Sequence, residues 1–358
     1  MRITRDSLIK LARDAVKERV SADRNLVAAY LTGSTLRDDP FLGGAADVDV
    51  VFLCIQPPGV VPGVRNAGGT TPPAQKPPAA REIVRLSPDV HLDMFYWETI
   101  SLEPPRKLRT DPLLGYVVYA PAVLYDTRRF LEYAQAIVRA QFNDPPNLLA
   151  RVRQHSDPAR RLWMALQSGA PISTNGPRPA DMLKYLQGVQ HAAQAFALFD
   201  GPPLTERRFL LEFAERAAAA ESPELHESLL ELAGGLAFDP AETEAMLPAW
   251  ESAFAEASRM DENPDIHPAR LNYYKRGIQA LLKGEAPSAA LWPLIHTWTV
   301  AAASLPSYGD EVKAWHAAFN ALGLADGFEY RLQGLDRFLD SLEEKCDSYA
   351  AEYSLERE

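Results

Sequence analysis

The stretch that decides the fold is LTGSTLRDDPFLGGAADVDVVFLC, residues 31–54. Its apolar ends predict two strands, and the pair Gly33-Ser34 interrupts the chain after the first of them. The second strand contains Asp47 and Asp49. Because side chains alternate along a strand with a period of two, both carboxylates point to the same face of the predicted sheet.

The two aspartates predict a cation site. Val48 and Val50, which alternate with them, point to the opposite face and can join a core. Two adjacent carboxylates repel each other, and partial burial raises that cost, so the pair is best tolerated in the open or around a cation. Oxygen ligands of this kind suit Mg²⁺, which retains several waters and binds one or two carboxylates together with phosphate oxygens.

The Gly-Ser break predicts a phosphate site. Gly33 lets the backbone approach a bulky anion, and Ser34 supplies a hydroxyl where a helix can begin. Helix N-termini present free N–H groups and the positive end of the helix dipole to phosphate. Arg37, one turn into that expected helix, is a candidate phosphate ligand; a solvated Arg paired with Asp38 or Asp39 is the alternative.

Gly33-Ser34, a spacer and Asp47-Val48-Asp49 in an apolar strand resemble the signature of the nucleotidyltransferase superfamily whose best-known member is DNA polymerase beta. Its small-molecule branch includes the aminoglycoside nucleotidyltransferases. The resemblance covers roughly the first third of the chain, where a helix precedes the motif and strands flank it.

The resemblance implies a third carboxylate on a later strand, and PDVHLDMFYW, residues 88–97, is the natural place for it. Asp93 is the match. Asp89 competes for this role, but it follows Pro88 at the strand edge, which is typical of a turn residue. His91 shares the predicted face of Asp93 and is a candidate for proton transfer, with an ordinary structural histidine as the alternative.

Composition excludes several classes of function. With 358 residues, 47% of them apolar, the chain has enough length for one large or two ordinary domains. A net charge of -11 argues against broad binding to long nucleic acid, which needs many basic contacts. Cys54 and Cys346 cannot form a disulfide framework or a zinc cluster. The N-terminus is charged and no apolar run approaches a membrane span, so we predict a cytoplasmic protein with no membrane partner.

We expect an α+β protein in which a small mixed β-sheet domain of the nucleotidyltransferase type, 1–145, precedes an α-helical domain, 146–358. The Pro- and Gly-rich residues 56–80 predict a hairpin insertion, either a surface excursion or a flap bordering the site. In the first domain, periodicity predicts helices at Asp6–Val20 and from Thr127, and strands at 25–31, 81–87, 89–97, 117–119 and 123–125. In the second domain it predicts helices at 148–169, 179–200, 206–220, 223–234, 240–261, 267–284, 286–305, 310–322 and 327–352.

The helical domain supplies further candidates through the same resemblance, since residues 181–213 are similar to the helix pair of small-molecule nucleotidyltransferases. Lys184 is predicted to reach a triphosphate, with a solvated helix lysine as the alternative. Arg207 and Arg208 are candidates for phosphate or acceptor contacts, although a surface position is favoured. The arginine cluster at 151–161 indicates a solvated helix face.

The resemblance implies Mg²⁺-dependent transfer of a nucleoside monophosphate from a nucleoside triphosphate, ATP first, to a hydroxyl of a small molecule. Asp47 and Asp49 would hold one ion on the triphosphate beside Gly33-Ser34, and Asp49 and Asp93 a second ion at the α-phosphate. The acidic balance suits a polycationic acceptor. The alternatives are transfer to a protein or an RNA end, as in toxin–antitoxin systems, and a non-catalytic nucleotide-binding protein; pairing as a homodimer stays open.

Overall fold

The computed structural model describes residues 3–56, 80–169, 176–325 and 327–355. The protein is a mixed α+β structure with one five-stranded mixed sheet and a C-terminal helical region. Its residues form two compact units, the first made of Met1–Asn147 and Glu262–Arg276 and the second of Leu148–Asp261 and Gly277–Glu358. The predicted insertion at 56–80 lies, apart from its two ends, outside the described residues.

The sheet organises the first unit. Its strands lie in the order β3-β4-β2-β1-β5, with β1 Leu26–Thr32, β2 Ala46–Cys54, β3 Ala80–Arg85, β4 Val90–Glu98 and β5 Ala122–Asp126. β2 pairs antiparallel with β1 and parallel with β4, and the two outer pairings are antiparallel. The strand that contains the aspartate pair is therefore the central one, flanked on one side by the predicted strand of the third carboxylate.

Helices cover the apolar parts of both sheet faces. Helix α1, Arg5–Ala22, packs on the face that includes Val48 and Val50, as the strand alternation predicts. Its N-cap is Thr4, which forms a capping box with Ser7 and so starts the helix before the expected Asp6. The opposite face packs at its apolar end on helices α2, Leu114–Tyr119, and α3, Phe130–Gln141.

Helix α2 replaces the strand predicted at 117–119. The carboxylate of Asp111 accepts the N–H groups of Leu113 and Leu114 at 2.9 and 2.7 Å, which starts a helical turn. Leu114 and Val118 then lie four residues apart on one buried helix face. A short apolar run does not distinguish strand from helix by itself, and here the capping carboxylate decides.

In the described part of the chain, all nine predicted helices of the C-terminal region form, close to their expected bounds. They are α4 Pro145–Gln167, α5 Pro179–Ala197, α6 Phe209–Ala219, α7 Pro223–Leu232, α8 Pro240–Met260, α9 Leu271–Leu282, α10 Leu291–Ala303, α11 Asp310–Ala321 and α12 Phe328–Glu352. Four tryptophans are fully buried, as core residues should be: Trp250, Trp292, Trp298 and Trp315. Among the described helices, none has the length and apolar character that crossing a membrane requires.

Glu262–Arg276, called here the return segment, belongs to the sheet unit although the residues on both sides of it do not. The Asn272 amide donates to the Pro88 carbonyl oxygen at 2.6 Å and to Asp89 Oδ1 at 2.9 Å. Arg276 lies 3.1 Å from the same Asp89 oxygen. The continuous division predicted at 145/146 lacks this segment, because contacts between residues so far apart leave no local pattern in the sequence.

Gly43 shows how closely the return segment packs on the sheet unit. Its φ is +62°, and a Cβ atom added there would lie 2.2 Å from the backbone oxygen of Arg276. The neighbouring Gly44 has a similar φ of +76°, but its added Cβ would come no closer than 3.5 Å to a flexible side-chain nitrogen. The two glycines thus share the backbone constraint and differ in the contact.

We therefore predict that Gly43→Ala destabilises the protein more than Gly44→Ala. Both variants incur the cost of a positive φ, about 1–2 kcal/mol, but only the first must also displace backbone of the return segment. Urea unfolding of the two variants and the unaltered protein measures the difference. Equal losses of unfolding free energy would show that this packing does not exist in solution.

Candidate functional site

The parallel pairing of β2 with β4 brings the three predicted carboxylates together. Asp49 lies directly opposite Asp93 in the register, and Asp47 lies opposite His91. Residues opposite each other in neighbouring strands share a sheet face and are separated by one strand spacing, about 4.8 Å. Asp47 and Asp49 are partly buried and Asp93 is fully buried, so the three form one acidic cluster at the polar end of this face.

The turn after β1 is fixed against Asp47. The Ser34 hydroxyl donates to Asp47 Oδ1 at 2.9 Å, and the Thr35 hydroxyl donates to the Asp47 carbonyl oxygen at 3.0 Å. From α1, the Arg5 guanidinium donates to the carbonyl oxygens of Thr35 and Leu36 at 3.1 and 3.0 Å. The position of Ser34 is therefore set by the turn and by α1 together.

Gly33 is required by the carboxylate that it contacts. Its φ is +74°, and a Cβ atom at this position would lie 2.1 Å from Asp49 Oδ2. The sequence associates this glycine with the approach of a phosphate; the contact found in the structure is with the aspartate. Any larger residue would have to displace the Asp49 carboxylate.

The helix expected after Ser34 does not form. Gly33–Leu36 is a single 3-10 turn, and Arg37 follows it in an extended conformation with its N–H bonded to the Ser34 carbonyl oxygen at 3.0 Å. Arg37 is thus not one turn into a helix, as predicted, but just beyond the turn. Pro40, whose missing N–H cannot extend a helix, lies three residues further on.

Asp93 is bound by two arginines. Arg81 on β3 donates from Nε to Oδ1 at 2.9 Å and from a terminal nitrogen to Oδ2 at 2.6 Å. Arg270 of the return segment donates to the same Oδ2. The Arg81 guanidinium also lies over the Phe95 ring at 4.7 Å and 3.7 Å from Asp265. We call Arg81, Asp93 and Arg270 the ion triad.

Asp49 and Asp93 have pKa values that are shifted in opposite directions. Burial, with the like charges of Asp47 and Asp93, raises the pKa of Asp49 well above its ordinary value. Burial by itself would also raise the pKa of Asp93, but the charge of Arg270 and the hydrogen bond and charge of Arg81 outweigh it and lower that pKa to about 2. The two guanidinium groups therefore offset the negative charge of Asp93, whereas they offset that of Asp49 only in part.

Asp47 and Asp49 fit a divalent cation. Within the described part of the chain, no donor hydrogen-bonds to the Asp49 carboxylate, and burial with the like charges of Asp47 and Asp93 outweighs the charges of Arg270 and Arg81 and raises its pKa. Across the same residues, no group of three or more acidic, histidine or cysteine side chains is placed to hold a metal ion. Mg²⁺ does not need such a cage, since it binds through one or two carboxylates and keeps water or phosphate oxygens as its other ligands.

The arginines and their positions were not predicted. Strand alternation could have identified Arg81. Ile83 on β3 pairs with Asp93 on β4, and Arg81, two residues from Ile83, therefore lies on the same sheet face as the Asp93 carboxylate. No such pattern identifies Arg270, because 177 residues separate it from Asp93. The competing carboxylate Asp89 lies in a bend outside the cluster, where Asn272 and Arg276 bind it.

The candidate residues in the helical unit differ in solvent exposure. Lys184 is exposed on α5, 3.8 Å from Asp181, so its role with a triphosphate stays a prediction. Arg207 is buried, which corrects the favoured surface position. Arg151 is also fully buried, so the solvated face inferred for residues 151–161 is wrong there. The Arg160 side chain pairs with three acids of α12, Asp336, Asp340 and Glu343.

Comparison with known proteins assigns no family to this arrangement. A scan against protein-family models found no match, and neither did a search of curated proteins. The structural features that bear on function are therefore the acidic cluster, the Gly33-Ser34 turn and the ion triad.

The opposite electrostatics of Asp49 and Asp93 predict stability effects of opposite sign. A raised folded-state pKa means that Asp49 favours folding below its unfolded pKa of about 4 and loses that contribution as pH rises. Asp49→Asn should thus increase the unfolding free energy at pH 7, and the gain should shrink towards pH 4.

For Asp93 the lowered pKa reverses the sign: its contribution is present above about pH 4 and is lost as pH falls towards 2. Asp93→Asn should destabilise the protein at pH 7 by about 3–5 kcal/mol, because two buried guanidinium groups lose their anion. Urea unfolding of both variants in EDTA at pH 7 and pH 4 tests this. Shifts of the same sign at pH 7 would contradict the assignment.

Proposed function

We propose that this protein transfers a nucleoside monophosphate from a nucleoside triphosphate to a hydroxyl of a small-molecule acceptor and releases pyrophosphate. The observation that supports it is the register that sets the pair Asp47 and Asp49 beside Asp93, with the Gly33-Ser34 turn against the pair. This is the arrangement that the resemblance to the nucleotidyltransferase superfamily implies.

Asp47 and Asp49 would hold Mg²⁺. When bound, the ion would neutralise part of the triphosphate charge and polarise the α-phosphoryl group. The protein's own contribution is to keep both carboxylates in place: the Ser34 hydroxyl holds Asp47, and the close backbone of Gly33 limits where Asp49 can move. Two adjacent carboxylates without a cation repel each other, so Asp47 and Asp49 are suited to bind one.

The Gly33-Ser34 turn is the proposed phosphate contact. It lies beside both carboxylates, so a phosphate chain on a cation held by them would pass next to this turn. Arg37 directly follows the turn and stays a candidate for the same nucleotide. ATP is the first nucleotide to test, and the acidic composition suits an acceptor with positive charge.

The transfer balances without any further reactant. The acceptor oxygen attacks the α-phosphorus, the bond from that phosphorus to the β-phosphate oxygen breaks, and the hydroxyl proton is released. Asp93 is a weak base for that proton, because a pKa of about 2 is far from neutral pH. Its place beside Asp49 favours an electrostatic role for Asp93 over a proton-accepting one.

The prediction is that label from [α-³²P]ATP moves to a small molecule with the unaltered protein. The four labelled nucleotides are incubated in turn with Mg²⁺, the protein and a small-metabolite extract, and the products are separated by chromatography. Asp49→Asn should lower the rate by about a hundredfold or more, because a charge that binds the cation is lost.

Asp14→Asn is the matched control. Asp14 is an exposed aspartate on α1, the helix that packs on the opposite sheet face, so this variant should keep full activity. Full turnover by Asp49→Asn would sink the proposed site. Label on protein or RNA instead would favour the alternative acceptors, and nucleotide binding without any transfer would favour the non-catalytic alternative.

A further inference from the structure

The ion triad occupies most of the binding capacity of Asp93. A carboxylate can accept about four hydrogen bonds. Three are already made, two from Arg81 and one from Arg270, and they involve both carboxylate oxygens. About one acceptor position is left, so a metal ion on Asp93 would have to share both oxygens with charge-assisted bonds, which are the strongest kind.

The two guanidinium groups also oppose a cation by charge. Both positive charges act on Asp49 as well as on Asp93, and Arg270 interacts electrostatically with Asp47 too. The three carboxylates and two guanidinium groups leave one negative charge, which a single divalent cation more than compensates. A second divalent cation would bring the cluster to three positive charges before any nucleotide is bound.

Arg270 is held in place by its surroundings. Its side chain is buried, and its other terminal nitrogen lies 3.5 Å from the Tyr274 hydroxyl. The two short 3-10 turns that precede it, Pro264–Ile266 and Pro268–Arg270, each begin with a side-chain cap, from Asn263 and His267. Two residues after Arg270, Asn272 anchors the return segment to the strand turn, so Arg270 is part of a fixed structure.

We propose that the site binds one divalent cation, at Asp47 and Asp49, and that the ion triad supplies the positive charge for which a second cation would otherwise be needed. This inference rests on the proposed function. It departs from the pair of ions that the resemblance implies, and it makes Arg270 and Arg81 positioning residues that hold fixed charge near the α-phosphoryl group. Fixed guanidinium groups can stabilise a transferring phosphoryl group in this way.

The test is the number of Mn²⁺ ions that each chain binds. The metal-free protein is titrated with Mn²⁺ alone, and unbound Mn²⁺ is measured by electron paramagnetic resonance. The unaltered protein should bind one ion, and Asp47→Asn should weaken its binding by about tenfold or more. Arg270→Gln removes one positive charge and one of the three hydrogen bonds to Asp93, so the count should rise to two. Arg270→Lys, which keeps the charge, should stay at one.

Circular dichroism checks that each variant folds. If Arg270→Gln does not fold, the double variant Asp93→Asn with Arg270→Gln removes one charge of each sign and should still bind one ion with unchanged affinity. Loss of that ion would overturn the inference, because Asp93 would then be a ligand.

Two ions on the unaltered protein, one of them lost in Asp93→Asn, would overturn the single-cation inference and leave the proposed transfer intact. No bound ion would overturn both the inference and the proposed metal site. Measuring label transfer with the same preparation separates these failures, since transfer with two ions contradicts only the ion count.

Discussion

The repulsion between three carboxylates on one sheet face is the constraint on which the rest of this site depends. The register of β2 against β4 makes it unavoidable, because it sets Asp49 opposite Asp93. The guanidinium groups of Arg81 and Arg270 hydrogen-bond to Asp93 at one end of the cluster, whereas among the described residues no guanidinium group hydrogen-bonds to Asp49 at the other end. This difference makes Asp93 a structural anion and Asp49 a candidate ligand for a cation.

The return segment follows from the same constraint. A buried carboxylate needs positive charge close by, and Arg81 on the adjacent strand supplies one such charge to Asp93. The second guanidinium comes from a segment that the chain delivers after eight helices, packed through Asn272 and the close contact at Gly43. Electrostatic compensation and backbone packing thus act together to make Glu262–Arg276 part of the sheet unit.

The elements that a periodic pattern of apolar residues marks in the sequence could be predicted. The features that depend on contacts between residues far apart in the chain could not. Alternation revealed the shared face of Asp47 and Asp49 and the burial of Val48 and Val50, and helical periodicity found the C-terminal helices. The strand expected at 117–119 was wrong because a capping carboxylate, not the apolar run, decides there. Arg270 was missed because no local pattern marks it. Arg151 and Arg207 are buried against expectation, because the spacing of residues along a helix does not reveal which charged side chains the fold buries.

The most direct measurement for the central claim, that Asp47 and Asp49 form a divalent cation site, is anomalous diffraction. Crystals of the protein would be soaked in MnCl₂ and measured at the manganese absorption edge, so that every bound ion gives a peak. We expect a peak about 2.1 Å from carboxylate oxygens of Asp47 and Asp49, which is the distance of a ligand. Arg270 should remain hydrogen-bonded to Asp93. A map without a peak at these two side chains, in crystals that bind Mn²⁺ elsewhere or nowhere, would contradict the central claim.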